Sequence, residues 1–339
     1  MPNKPSPARE YLSELCAQFP DAATKTLARK AYAAHPECWR DLEACRLMLR
    51  DIRGNRGNRR RQQTGDKAHF RPNGTPGDPE QFKLPEPLEH FEDWQIRHYD
   101  QPGWWLVLSD LHIPYHDVGA ITACLRLAKE RGVVGILLNG DVADHYSQSF
   151  WVTDPRRRDF ANEVESVRAF VQRLRGHFPK AVIVWKHGNH EERYEAYLKV
   201  KAPELLSIDD FEYDRVMRCP ENGIEVVKDK QPIALGKLLT IHGHEYRSPF
   251  QNPVNPARGL FLKAKVSALA GHLHQSSSHS EKDLADKVVT CWSTGCCCNL
   301  RPDYSPINKW NHGAALVELS KDGAFQVENF RVLDGVVYR

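Results

Sequence analysis

The chain has 339 residues, 41% of them hydrophobic and 27% charged, which suits one large packed domain with an appendage. No apolar run approaches the roughly 18 residues of a membrane span, and the start, MPNKPSPARE, lacks the apolar stretch of a secretory signal, so a cytoplasmic protein with no membrane partner is expected. The net charge of +3 hides an asymmetry: residues 1–70 hold 14 Lys and Arg against 8 Asp and Glu, a net of +6, which leaves −3 for the rest and suggests a basic appendage on a near-neutral body.

Residues 7–53 read as three helices. Leu12, Leu15 and Cys16 make one apolar stripe, Leu27, Ala28, Ala31 and Tyr32 a second, and Leu42, Ala44, Cys45, Met48 and Leu49 a third. Pro20 and Pro36 separate them, Asp21 and Asp41 stand at expected helix starts, and Gly54 offers a stop. Seven arginines follow between positions 46 and 61: Arg46, Arg50, Arg53, Arg56, Arg59, Arg60 and Arg61. The spacing of the first three puts them on one helical face. Residues 1–61 therefore fit a small, helix-turn-helix-like nucleic-acid-binding module, or equally a solvated helix with a basic tail. Residues 62–95, with RPNGTPGDPE, read as a Pro/Gly-rich linker.

From Trp104 the pattern changes. WWLVLS, VVGILLN and AVIVWK read as buried strands, alternating with helices over Ala120 to Lys129 and Phe160 to Leu174. After about residue 222 the chain turns β-rich, with IEVV, LLTIH, SALAG, VVTCWS, AALVEL and FQVENFRV. The expected fold class is α/β, with two sheets covered by helices over residues 96–339, preceded by the small all-helical domain. The nine cysteines, including the run Cys296 to Cys298, contain no recurring CxxC pair and are expected to be reduced thiols.

The polar residues gather where strands end. WWLVLS runs into Asp110 and His112, VVGILLN into Gly140 and Asp141, AVIVWK into Gly188, Asn189 and His190, LLTI into His242, and SALA into Gly271, His272 and His274. The carboxyl edge of a parallel sheet is where ligands collect. Carboxylates and imidazoles suit borderline divalent cations. If the strands persist, residues i and i+2 face the same way, pairing Asp110 with His112 and His272 with His274. The glycines before Asp141, Asn189 and His272 let the backbone approach an ion closely.

The series DLH, GD, GNHE, HGH and GHLH, in that order over residues 104 to about 275, resembles the five-part fingerprint of the calcineurin-like metallophosphoesterase superfamily. The resemblance implies an αββα sandwich holding two divalent cations, manganese first and iron, zinc or nickel as alternatives. Asp110, His112, Asp141 and His274 would hold one cation. Asp141 would bridge to a second held by Asn189, His242 and His272. His190 would protonate the leaving oxygen or steady the transition state, and Asp144 would orient His190. A hydroxide bridging the cations would attack phosphorus in line. The small basic module before such a domain also resembles phage- and prophage-encoded proteins.

His145 and Tyr146 follow Asp144, where protein phosphatases of the superfamily carry Arg. This departure favours a phosphodiesterase or nuclease acting on nucleic acid or nucleotides. The alternatives are a phosphomonoesterase for phosphoprotein or small metabolites, and a nucleic-acid-binding adaptor with a vestigial metal fold. Arg156, Arg157 and Arg158 read either as phosphate contacts or as a solvated loop. Arg301, Tyr304, Trp310 and His312 read either as a wall against a base or as a packed connection. His187, His244 and His312 are expected to be structural, and Glu191 is expected to be a helix-start charge.

Overall fold

The computed structural model describes residues 6–20, 22–53, 94–246, 254–284 and 286–339. The chain divides into two compact units, residues 1–90 and 91–339.

In the first unit, α1 (Pro7–Gln18), α2 (Thr24–Ala34) and α3 (Leu42–Arg53) enclose a core of Leu12, Leu15, Leu27, Ala31, Trp39, Cys45 and Leu49. The Asp41 carboxylate caps α3, accepting from Ala44 N at 2.7 Å. Asp21, Gly54, Arg56, Arg59, Arg60 and Arg61 lie outside the described residues, as does the expected linker up to residue 93. Of the three arginines on α3, Arg53 does not share the exposed face expected for it. Its guanidinium donates to the carbonyls of Phe19 (3.0 Å) and Ala22 (2.5 Å). It thus ties α3 to the α1–α2 connection. Arg46 pairs with Glu43 at 3.1 Å and Arg50 is exposed.

The second unit is built from β1 (Arg97–Tyr99), β2 (Gly103–Leu108), α4 (Val118–Arg131), β3 (Gly135–Asn139), α5 (Phe160–His177), β4 (Val182–Lys186), α6 (Asn189–Lys201), the short α7 (Tyr213–Val216), β5 (Ile224–Val227), β6 (Ile233–Leu235), β7 (Leu238–Ile241), α8 (Pro256–Ala264), β8 (Ala268–Ala270), β9 (Ser277–Lys282), β10 (Val288–Ser293), β11 (Gly313–Leu319), β12 (Phe325–Leu333) and β13 (Val336–Tyr338). One sheet has seven strands in the order β13-β12-β11-β2-β3-β4-β5, and the other six in the order β1-β6-β7-β8-β10-β9. β2 to β5 are mutually parallel, in register through Leu106, Ile136, Ile183 and Ile224.

Strand alternation sorts the core into layers. Leu106, Leu108, Ile136, Leu138 and Ile183 face α4 and α5, meeting Cys124, Leu127, Val167 and Val171. Trp105, Val107, Leu137 and Val184 face the other way and pack on Ile233, Leu235, Leu238 and Leu269 of the second sheet. Leu260 of α8 covers the outer side of that sheet against Ile241, Ala268 and Cys291. The result is a helix–sheet–sheet–helix stack. Strands β1, β6, β9 and β13 were not read from sequence; three of them are only three residues long and give no periodicity. Among the described residues no helix is long and apolar enough to cross a membrane, and all nine cysteines are free.

Candidate metal centre

The expected i, i+2 geometry is not what brings the donors together. β2 ends at Leu108 and β8 at Ala270, before the polar residues begin. Asp110, His112, Asp141, His272 and His274 all have left-handed backbone, with φ of 57°, 49°, 54°, 67° and 55°. Non-glycine residues there cost free energy and persist only where the surroundings over-determine them. Each strand therefore breaks into a tight loop that turns its side chain inward. Two glycines make this possible. A Cβ on Gly188 would stand 2.2 Å from Asp141 Oδ1, and one on Gly271 1.9 Å from Ser109 Oγ.

The carboxyl ends belong to both sheets, and they are bonded to each other. Asn139, ending β3, donates from Nδ2 to the carbonyl of Ile241, ending β7, at 2.8 Å. Its own carbonyl accepts from His242 Nδ1 at 2.8 Å. His272 N donates to Asp110 Oδ2 at 2.8 Å, and Gly271 N to the carbonyl of His242 at 2.9 Å.

Inside this rim the donors converge. Asp110 Oδ1 lies 3.0 Å from His274 Nε2 and 3.9 Å from His242 Nε2. Asp141 Oδ2 lies 3.2 Å from His242 Nε2, 3.9 Å from His112 Nε2 and 3.8 Å from His190 Nε2. His112 Nε2 and His274 Nε2 are 3.3 Å apart, and Asn189 Oδ1 is 3.2 Å from His242 Nε2. Donor atoms of Asp110, His112 and Asp141 form one set within 4.8 Å of one another, and those of Asp141, His242 and His272 form another. Asp141 is common to both.

The chemistry of this donor set fits divalent cations. His112 donates from Nδ1 to Asp144 Oδ1 at 2.8 Å, and His242 from Nδ1 to the Asn139 carbonyl. Each bond commits Nδ1, so that Nε2 is the nitrogen that faces the carboxylates and is left to take a cation in place of its proton. Burial disfavours charge at all these groups. Even so, Asp141 and Asp110 raise the His242 pKa to about 10, and the neighbouring histidines hold both carboxylates well below their usual range. Burial, with His242 nearby, lowers His272 to about 4, so its imidazole is neutral. Carboxylates this buried require cationic partners, and metal uptake by such a site displaces protons from imidazole.

The sequence profile of the calcineurin-like phosphoesterase family matches residues 105–298, more than half of the chain, and spans every one of these donors. The chain belongs to that family. No curated protein sequence matches it. Among solved structures it is similar to vacuolar protein sorting 29 from Cryptosporidium parvum, at 15% identity and a TM-score of 0.36, over 70% of this chain and 96% of that one. YfcE, a phosphoesterase from E. coli, is similar at 13% identity and a TM-score of 0.32, over 66% and 98%. Vps29 from Chaetomium thermophilum is similar at 13% identity and 0.36, over 70% and 90%.

Around the metal centre of this calcineurin-like domain, Asp144 serves two histidines by different atoms. Its carboxylate accepts a hydrogen bond from His112 Nδ1, while its backbone carbonyl accepts from His190 Nδ1 at 2.6 Å. The Asp144 carboxylate is 3.4 Å from the same His190 nitrogen. Burial opposes its charge, but the bonds from His112 and His190 lower its pKa strongly. His190 accepts at Nε2 from Arg193, at 2.8 Å. Burial and the nearby His112 lower the His190 pKa, and Asp141 works against them.

Arg193 was missed in the sequence, although it stands one helical turn after His190 on α6, a spacing that puts the two on one face. Its NH1 also donates to the Asp144 carbonyl at 3.1 Å. Glu191, read as a helix-start charge, does more. Its Oε2 accepts from Gly188 N (2.7 Å) and Asp141 N (2.9 Å), and its Oε1 from Val142 N (2.8 Å) and Ala143 N (3.3 Å). A second, partly buried carboxylate, Glu245, accepts from His242 N at 2.8 Å and pairs with Lys186 Nζ at 2.9 Å. Burial would raise its pKa, but Lys186, His244 and His242 hold it at about 2. His244 bonds to Glu192 at 2.9 Å, His187 is buried against the Tyr213 ring, and His312 donates to the Cys298 carbonyl at 2.8 Å.

A cavity of about 700 Å³ opens beside the metal centre, bounded by His112, His190 and Arg193 and by two loops carrying Trp151 and Tyr304. The three loop arginines fold back onto the protein. Arg156 binds Asp154 and Arg158 binds Thr153 Oγ1. Arg157 pairs with Asp303 and lies over the rings of Tyr115 and Tyr146 at 5.3 and 5.2 Å. Tyr304 and Trp310 line the cavity, whereas Arg301 and His312 do not.

Proposed function

We propose that this calcineurin-like domain is a dinuclear metal-dependent phosphodiesterase acting on nucleotides or nucleic acid. The observation that carries the reading is the convergence of two carboxylates and four imidazoles, one of which, His112, also lines a cavity whose other walls offer arginine and aromatic side chains. Asp110, His112, Asp141 and His274 would hold one cation, and Asp141, Asn189, His242 and His272 the other. Bound there, the cations would polarise the phosphoryl oxygens and make water nucleophilic at neutral pH.

The remaining steps belong to the protein. Asp144 keeps His112 in its ligand tautomer. Asp141 Oδ1 accepts from His190 N at 2.9 Å, which ties the start of α6 to the bridging carboxylate. His190 holds its Nδ1 proton on the Asp144 carbonyl and turns Nε2 to Arg193. Of the two roles expected for His190, this arrangement favours steadying the transition state: it positions a guanidinium beside the phosphoryl group, where a fixed cation stabilises developing charge. An arginine three residues after His190 thereby supplies what is lacking after Asp144.

The test compares chromogenic esters with the protein loaded with manganese, the cation expected first. Bis-p-nitrophenyl phosphate should be hydrolysed faster than p-nitrophenyl phosphate. The reverse order would replace this reading with a phosphomonoesterase, and binding of nucleic acid with no turnover of either ester would replace it with an adaptor.

We further propose that residues 1–61 form a nucleic-acid-binding module, joined by a linker over residues 62–95, with Arg46, Arg50 and the arginines at 56, 59, 60 and 61 as its basic surface. Each phosphate neutralised should steepen the fall of affinity with salt by about 0.9 in log–log slope. Affinity independent of salt would remove the module from the account.

A further inference from the structure

We propose that the cavity beside the metal centre is a base-tolerant nucleoside subsite, in which the base attached to the scissile phosphate stacks on Trp310 and Tyr304, with Trp151 facing it from the other loop. The proposal rests on the phosphodiesterase reading above.

The aromatic rings lead outward from the reaction centre. His274 contacts Trp310, with ring centroids 4.1 Å apart, and Trp310 contacts Tyr304 at 6.1 Å. A phosphate at the donor cluster would therefore have a flat apolar surface within one nucleoside length. Tyr304 is 73% exposed and Trp151 68% exposed, so both rings keep open faces. Tyr115 and Tyr146 differ, because the Arg157 guanidinium already lies over each. The volume of about 700 Å³ is in the range of sites that enclose a small organic ligand.

Most acceptors on the same walls are already engaged within the protein: Asn299 Oδ1 accepts from Arg301 N at 3.0 Å. Ser149 Oγ accepts from Trp151 N at 3.2 Å, and Thr153 Oγ1 accepts from Arg158 at 3.0 and 2.8 Å. Asp154 holds Arg156, and Asp303 holds Arg157. Reading a base edge needs donors and acceptors with spare capacity in fixed places. Stacking needs only a ring face, which every base has. Recognition here should therefore register that a base is present and not which one.

Steady-state hydrolysis of three diesters by the manganese-loaded, full-length protein tests this. The substrates are thymidine 5′-(p-nitrophenyl phosphate), its guanosine counterpart and ethyl p-nitrophenyl phosphate, which share one leaving group. The kcat/KM for both nucleoside esters should exceed that for the ethyl ester by about tenfold or more. The two nucleosides should agree to within about threefold. Tyr304→Ala and Trp151→Ala should each shrink the nucleoside preference several-fold, mainly through KM, and both sites are exposed enough to change without unfolding the domain. Equal rates on nucleoside and ethyl esters, or a preference untouched in both variants, would overturn the subsite. A large difference between thymidine and guanosine would overturn its base tolerance. Failure of all three diesters to react would overturn the phosphodiesterase reading, and this subsite with it.

Discussion

Asp141→Asn is expected to lower kcat/KM by about 1,000-fold or more while leaving the fold intact. The Asp141 carboxylate is common to both donor sets and almost completely buried. Replacing it by an amide keeps the shape and an oxygen to accept from His190 N, the bond that anchors α6. What is lost is the negative charge between the two candidate cation positions. Clamping a phosphoryl group between two cations is worth several kcal/mol, and each 1.4 kcal/mol is a factor of ten in rate. The variant should therefore unfold within a few degrees of the wild type and yet be nearly inactive on bis-p-nitrophenyl phosphate. Near-normal turnover with normal thermal stability would show that Asp141 does not bridge.

The second large effect is expected at a residue that touches no substrate. Glu191→Ala should lower the unfolding temperature by roughly 10 °C or more and weaken metal binding about 10–100-fold. Its carboxylate is buried, and burial together with the nearby Asp141 raises its pKa, while the bonds from Gly188 and Asp141 N–H pull it down. Four backbone N–H groups converge on two oxygens, and three of them belong to Asp141, Val142 and Ala143. Each buried donor left without an acceptor costs about 1–3 kcal/mol. Glutamine is not a mild substitute: one oxygen would still accept a pair of N–H groups, but its NH2 would face the other pair donor to donor. Glu191→Gln should thus resemble Glu191→Ala in both readouts. Scanning calorimetry and a metal titration on the same samples check this, and a Glu191→Ala protein with unchanged stability and metal affinity would contradict it.

How legible was all this in the sequence? The strands carrying the site are plain, because WWLVLS, VVGILLN and AVIVWK are short apolar runs rich in β-branched and aromatic residues, as buried strands are. The five polar stretches at their ends named the donors, since Asp, His and Asn seldom follow buried strands so regularly. The way the donors meet was not legible. Period-two reasoning assumed that the strands continue through Asp110–His112 and His272–His274, whereas the backbone turns left-handed at all four residues. Nothing in residue identity announces an aspartate or histidine forced into that conformation; the surrounding loops impose it. Nor does the sequence say that the rim is shared between two sheets, because Asn139 and Ile241 are about a hundred residues apart and bonded only in the fold.

Arg193 and Arg53 show the same limit from opposite sides. Arg193 follows His190 by three on a helix, so its place near the cavity was available from spacing alone. The GNHE motif ends before it, so the motif itself does not point to it. Arg53 was read by spacing onto a basic face with Arg46 and Arg50. The structure turns it instead onto the carbonyls of Phe19 and Ala22 in the connection between α1 and α2. Spacing says which side of a helix a residue leaves from, and not which partner at the helix end will capture its long side chain.

The central claim is that Asp141 stands between two cations. A crystal soaked in manganese, with data collected at the manganese absorption edge, measures this directly. The account predicts two anomalous peaks per chain, roughly 3.5–4 Å apart, one against Asp110, His112 and His274, the other against Asn189, His242 and His272, with Asp141 touching both. A single peak at saturating manganese, or two peaks that share no ligand, would contradict it.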